Sequence, residues 1–92
     1  MEPVSRLIPA ALASLLRKAP LSDGKVAFAW RSAVGPVMDK VTSVALDGHV
    51  LRVRARDEAW KREIDRSTAI IRARVAEVLG DDVVRRIDVQ VG

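Results

Sequence analysis

Val41-Thr42-Ser43-Val44-Ala45-Leu46-Asp47-Gly48-His49-Val50-Leu51-Arg52-Val53-Arg54-Ala55-Arg56 decides the fold of this 92-residue chain. Two strand-like runs flank Asp47-Gly48, a pair that a type I′ hairpin turn prefers because both of its central residues need positive φ. With those two residues as the loop, Val44 is expected opposite Leu51, Thr42 opposite Val53 and Ser43 opposite Arg52. Successive side chains of a strand point to opposite faces. Arg52, Arg54 and Arg56 therefore form one stripe, and Leu51, Val53 and Ala55 face the other way. The hairpin has an apolar back and a cationic front.

Helical patterns lie on both sides of it. Upstream, Leu12, Leu15 and Leu16 recur at helical spacing and are expected to form the buried face of a first helix. That helix starts between Arg6 and Pro9, where proline is tolerated, and ends near Lys18 before Ala19-Pro20. Ser22 or Asp23 caps a second helix. Its face comprises Val26, Trp30, Val34, Val37/Met38 and Val41. Gly35-Pro36 interrupts this run, so a kink or break is expected there, with the glycine allowing close approach of another backbone.

Downstream, Asp57 caps a third helix whose stripe is Trp60, Ile64, Ser67/Thr68, Ile71, Val75 and Val78, and Gly80 stops it. Val83 to Val91 then alternates, with Ile87, Val89 and Val91 inward and Arg86, Asp88 and Gln90 outward. The order α-α-β-β-α-β implies a two-layer α+β domain spanning 1–92, its helices on one face of a three-stranded sheet. A chain this short supports one core and modest stability, roughly 5–10 kcal/mol.

Composition narrows the chemistry. Sixteen Lys+Arg stand against 12 Asp+Glu, and arginine outnumbers lysine twelve to four. Guanidinium groups match phosphate bidentately, so this bias points toward a phosphate-rich partner. The absence of cysteine removes disulfide and thiolate chemistry. The apolar run Leu7 to Leu16 is too short to span a bilayer and contains Pro9. Glu2 stands before it instead of a cationic region, so it does not read as a signal peptide, and a cytoplasmic location is expected.

The chain resembles the DciA family of bacterial proteins, which work with the replicative DnaB-type helicase at initiation. The residues that carry the resemblance are the N-terminal Leu-rich helix, Trp30-x-x-x-Val34-Gly35-Pro36, Leu46-Asp47-Gly48-x-x-Leu51-x-Val53, Ala59-Trp60-x-x-Glu63-Ile64, Leu79-Gly80 and Ile87-x-Val89. It implies a KH-like fold, a capacity to bind DNA, and a helicase partner. Val41-Thr42 stands where many members carry a His-Thr pair, and Val44 where many have a proline. The Gly-x-x-Gly loop with which KH domains clamp nucleotide backbones is missing, so KH-style RNA readout is not carried over.

The candidate nucleic-acid-binding residues are Arg52, Arg54 and Arg56, extended by Lys61, Arg62 and Arg66. On charge pattern alone they could equally form a solvated outer face; the resemblance tilts the reading toward DNA. Four to six neutralised phosphates would give a log–log salt slope of about −4 to −5. Trp30 and Trp60 could stack bases, but both lie on apolar stripes and are expected in the core, where loss of either would cost ~3–5 kcal/mol.

His49 has no companion from which to build a metal site or a triad. Asp81-Asp82 reads as a turn, and Gly24-Lys25 lacks the glycine pattern of a P-loop. No nucleophile, base and orienting group occur together, so no enzyme and no cofactor are expected. The chain is read as a replication adaptor that engages a DnaB-type helicase and single-stranded DNA, without a membrane. A KH-like RNA-binding module and a purely protein-binding domain remain as alternatives.

Overall fold

In the computed structural model, which describes residues 9–92, the hairpin pairs β1 (Thr42–Asp47) with β2 (Val50–Ala55). Its turn is Gly48-His49, one position later than expected. Gly48 has φ 60°, and no other residue of the turn has positive φ. A type I′ turn needs two such residues; a single glycine at the first central position fits type II′. The register moves accordingly: Val44 pairs with Val53, Thr42 with Ala55, and Ser43 with Arg54. The displacement is two residues on β2, one full period of a strand, so every side chain keeps its expected face.

On its other side β2 pairs in parallel with β3 (Arg86–Val91), giving the order β1-β2-β3. Parallel neighbours need a crossover, supplied here by α3 (Glu58–Arg66) and α4 (Thr68–Leu79). The α+β order is as expected, but the third helical segment comes in two pieces. Ser67 leaves helical geometry at φ −107°, ψ 11°. Its N–H donates to the Ile64 carbonyl three residues back (3.0 Å), and the Thr68 hydroxyl donates to the same carbonyl (3.0 Å). Ser and Thr hydroxyls that bond back to the preceding turn bend helices. The break lets α3 lie against β3 and β2 while α4 packs against α2 and α1.

α2 (Asp23–Lys40) starts at Ser22, whose Oγ accepts the Lys25 N–H at 3.1 Å. It packs over the inner sheet face, where Leu51, Val53 and Ala55 are buried with Val26, Ala29, Trp30 and Ala33 from α2 and Ile71, Val75 and Val78 from α4. Trp30 is 1% exposed, and its indole N–H donates to Thr42 Oγ1 at 2.8 Å. The Thr42 hydroxyl in turn donates to the Met38 carbonyl at 2.8 Å. Trp30 is thus a core residue with its one polar atom satisfied. Trp60 is only partly buried against that core.

The expected interruption of α2 sits at Gly35, with φ 85° and ψ 169°. That region is essentially reserved for glycine. A Cβ at Gly35 would meet nothing within 4 Å, so backbone conformation, and not close approach of another chain segment, demands the glycine. Arg74 reaches across from α4 and donates Nη1–H to the Ala33 carbonyl at 3.1 Å, next to the break.

α1 (Ala10–Lys18) lies along α4. Leu12 and Leu15 do not form the buried face expected of them, being 44% and 66% exposed. The helix packs on α4, with Leu12 and Leu15 at the margin of that contact. The Leu16 side chain and the possible start of this helix before Pro9 lie outside the described residues. Among the described residues, no helix is long and apolar enough to cross a membrane.

Two substitutions test this account. Gly35→Ala should lower stability by about 1–3 kcal/mol in urea unfolding, although the site has room for the methyl group. Thr42→Val leaves the Trp30 indole N–H buried without an acceptor and should cost about 1–3 kcal/mol; an unchanged midpoint would show that this bond contributes nothing.

Candidate nucleic-acid interface

The outer face of the sheet is built by the register. Ser43, Ala45 and Asp47 come from β1, Val50, Arg52 and Arg54 from β2, and Arg86, Asp88 and Gln90 from β3. Arg56 extends the β2 row, since its N–H still pairs with the Val41 carbonyl at 2.9 Å. Arg52, Arg54 and Arg56 are all exposed.

Their surroundings differ. Arg52 Nε donates to Asp47 Oδ2 at 3.1 Å and Arg52 Nη1 to Asp88 Oδ2 at 3.2 Å. One guanidinium thus ties the two edge strands together across the central one. Arg54 is flanked by Ser43 and Gln90, lies close to Gly92, and makes no ion pair among the described residues. Arg56 makes a looser contact with its neighbour Asp57, Nε to Oδ2 at 3.5 Å. Asp57 also accepts the Trp60 N–H at 3.0 Å through Oδ1, which fixes the start of α3. Arg86, opposite Val50, is exposed and has no ion pair among the described residues. It adds a cation to this face that the candidate set left out, although the alternation of Val83 to Val91 had turned it outward.

The other three candidates stand on α3, in the helical layer. Lys61 Nζ donates to Asp65 Oδ2 at 3.0 Å. That hydrogen bond and the charge of Asp65 hold its pKa above the usual 10.5, with Glu58 and Asp88 contributing less and burial opposing them. Arg66 Nη1 lies 3.7 Å from Glu63 Oε1. Arg62 is exposed and makes no ion pair among the described residues. The structure therefore brings Arg52, Arg54 and Arg56 onto one sheet face, while Lys61, Arg62 and Arg66 stand on α3, with Lys61 near enough to Asp88 of that face to feel its charge.

His49 has a structural role. Its Nδ1 lies 3.0 Å from the Asp82 carbonyl and 3.2 Å from that of Val83, and its own carbonyl accepts the Arg85 N–H at 2.8 Å. The hairpin turn is thereby tied to the loop that precedes β3. Among the described residues, no group of three or more His, Cys, Asp or Glu side chains could hold a metal ion.

A second surface lies on the helical layer. Val34, Val37 and Met38 of α2 face Ala59, Trp60 and Glu63 of α3 across a groove of about 480 Å³. Val37 is 68% exposed, and Ile70 of α4, next to Val34 and Met38 in an adjoining hollow, is 57% exposed. Three helices contribute to this apolar surface, and the break at Gly35 helps to shape it. Its assembly depends on packing, so no single run of residues announced it.

If Arg52 acts as a tie between strands, Arg52→Gln should lower stability by up to ~1 kcal/mol, as exposed ion pairs do. Arg54→Gln, which breaks no ion pair among the described residues, should leave the urea midpoint unchanged.

The comparisons with known proteins agree with the sequence resemblance. The family model described as "Dna[CI] antecedent, DciA" matches residues 3–89. A UPF0232 protein of Mycolicibacterium smegmatis is 33% identical over 72 residues, which cover 77% of this chain and 37% of that protein. The chain spans little more than a third of the length of this relative. With the family model extending from before the first helix into the last strand, this chain belongs to the DciA family.

Proposed function

We propose that the domain is a non-catalytic adaptor of DNA replication that holds single-stranded DNA on the outer sheet face and a DnaB-type helicase on the groove beside Trp60. Membership of the DciA family over residues 3–89 carries this reading, since the family's theme is loading of the replicative helicase. The geometry supports a division of labour between two layers. An exposed arginine face suits phosphate, and an apolar groove with a half-buried tryptophan suits a protein partner.

The arrangement also sets the strength of DNA binding. Arg54, Arg56 and Arg86 are the guanidinium groups of the face that are not held by a pair of carboxylates. About three neutralised phosphates give a log–log salt slope near −2 on single strands, shallower than a count of every basic residue in the region would give. Affinity should be modest and fall readily with salt.

Three measurements test the proposal: oligonucleotide binding, helicase capture, and binding of RNA against DNA. Arg54→Ala with Arg56→Ala should weaken oligonucleotide binding at low salt at least several-fold without lowering the melting temperature. Arg52→Ala should weaken it too, because Asp47 and Asp88 lose their partner and repel the strand; adding Asp47→Asn and Asp88→Asn should restore binding. Unchanged affinity in the first pair would remove the sheet face as the DNA site. For the partner, Val37→Asp should abolish capture of the host's replicative helicase by an otherwise stable domain. Stronger binding to RNA than to DNA at fixed salt would favour an RNA-binding module.

A further inference from the structure

We infer that the outer sheet face takes the sugar–phosphate backbone of a strand and none of its bases. This rests on the reading of that face as the DNA site and specifies how it would hold its ligand.

The chain has one phenylalanine, two tryptophans and no tyrosine. Phe28 and Trp30 stand on α2 and Trp60 on α3, in the layer behind the sheet. Trp30 is buried and Trp60 faces α2 across the groove. The one imidazole, His49, is turned toward the carbonyls of Asp82 and Val83. The outer face itself carries Ser43, Ala45, Asp47, Val50, Arg52, Arg54, Arg56, Arg86, Asp88 and Gln90.

Sheets that read single-stranded bases do so with aromatic side chains standing on the strands, on which the bases stack. None stands here. What the face does present is a set of donors: the Arg54, Arg56 and Arg86 guanidinium groups, with the Ser43 hydroxyl and Gln90 amide on either side of Arg54. Such groups suit phosphate oxygens, whose contacts position a strand without reading its sequence. Arg86 and Arg54 lie on neighbouring strands, about four residues apart along the sheet, ~13 Å. A strand laid obliquely across β2 and β3 meets both, and passes over Arg52 where Asp47 and Asp88 already occupy it.

The experiment is a fluorescence-anisotropy titration at fixed low salt with three strands of equal length: oligo-dT, an abasic strand with the same phosphates, and an oligo-T with an uncharged backbone. The abasic strand is expected to bind within about threefold of oligo-dT and with the same salt slope, and the uncharged strand not to bind. Tryptophan emission should stay constant through both productive titrations. A loss of more than about threefold on removing the bases, retained binding by the uncharged strand, or quenching of tryptophan by oligo-dT but not by the abasic strand would overturn the inference. Failure of both charged strands to bind, or binding that Arg54→Ala with Arg56→Ala leaves intact, would instead overturn the assignment of the face as the DNA site.

Discussion

The Trp30 indole sits where α2 crosses the start of β1, and its hydrogen bond to Thr42, passed on to the Met38 carbonyl, joins helix to sheet at one point. A tryptophan buried to 1% brings a large apolar area into the core, but only if its N–H finds an acceptor there. Thr42 provides one, and by donating its own hydroxyl to the Met38 carbonyl of α2 it leaves both the indole N–H and the hydroxyl paired. Because Thr42 opens β1, this contact sets where the hairpin starts relative to the helix. The inward row on β2 then falls beneath α2 and α4, and the arginines have only the solvent side left to occupy.

The two surfaces of functional interest derive from this arrangement by different routes. The sheet face is a product of strand parity, so its cations follow from alternation and burial of the other row. Its character is then adjusted by neighbours: Asp47 from β1 and Asp88 from β3 close on Arg52 and leave Arg54 beside uncharged side chains. The groove depends on the irregularities of the helices. The break at Gly35 redirects the end of α2, with Arg74 bonded to the Ala33 carbonyl beside it, and the break at Ser67 separates α3 from α4. Both deviations from regular helix lie next to the apolar surface that they expose.

Charge alone is a poor guide to such a face. An arginine that bridges two strands contributes to the sheet but offsets only one of its two carboxylates, leaving Arg52, Asp47 and Asp88 together with one net negative charge, whereas Arg54 has the uncharged Ser43 and Gln90 on either side. Exposed pairs of this kind are individually weak, so the difference between Arg52 and Arg54 matters more for the local field than for stability. Membership of the DciA family relates the chain to helicase loading in replication, and the placement of the aromatic residues bears on the nucleic-acid role proposed for the sheet face.

Much of this was determined by the sequence alone. Alternation placed Arg52, Arg54 and Arg56 on one face and Leu51, Val53 and Ala55 on the other, because that depends only on the pleat. Asp57 as a helix cap, a cap at Ser22 or Asp23 (the structure has Ser22), the interruption at Gly35-Pro36, and the core position of Trp30 were legible for equally local reasons. The hairpin register was not: Asp47 and Gly48 are both competent turn residues, and the turn falls on Gly48-His49, where the His49 ring and carbonyl bond to the loop before β3. Nor could helical spacing reveal that Ser67 and Thr68 would turn their backbone and hydroxyl bonds on the Ile64 carbonyl, or that Leu12 and Leu15 would lie at the margin. The pairing of Arg52 with Asp88, and the meeting of Val37 with Trp60 across the groove, join residues far apart in the chain. Only tertiary structure decides such contacts, because each requires elements that have no local reason to meet.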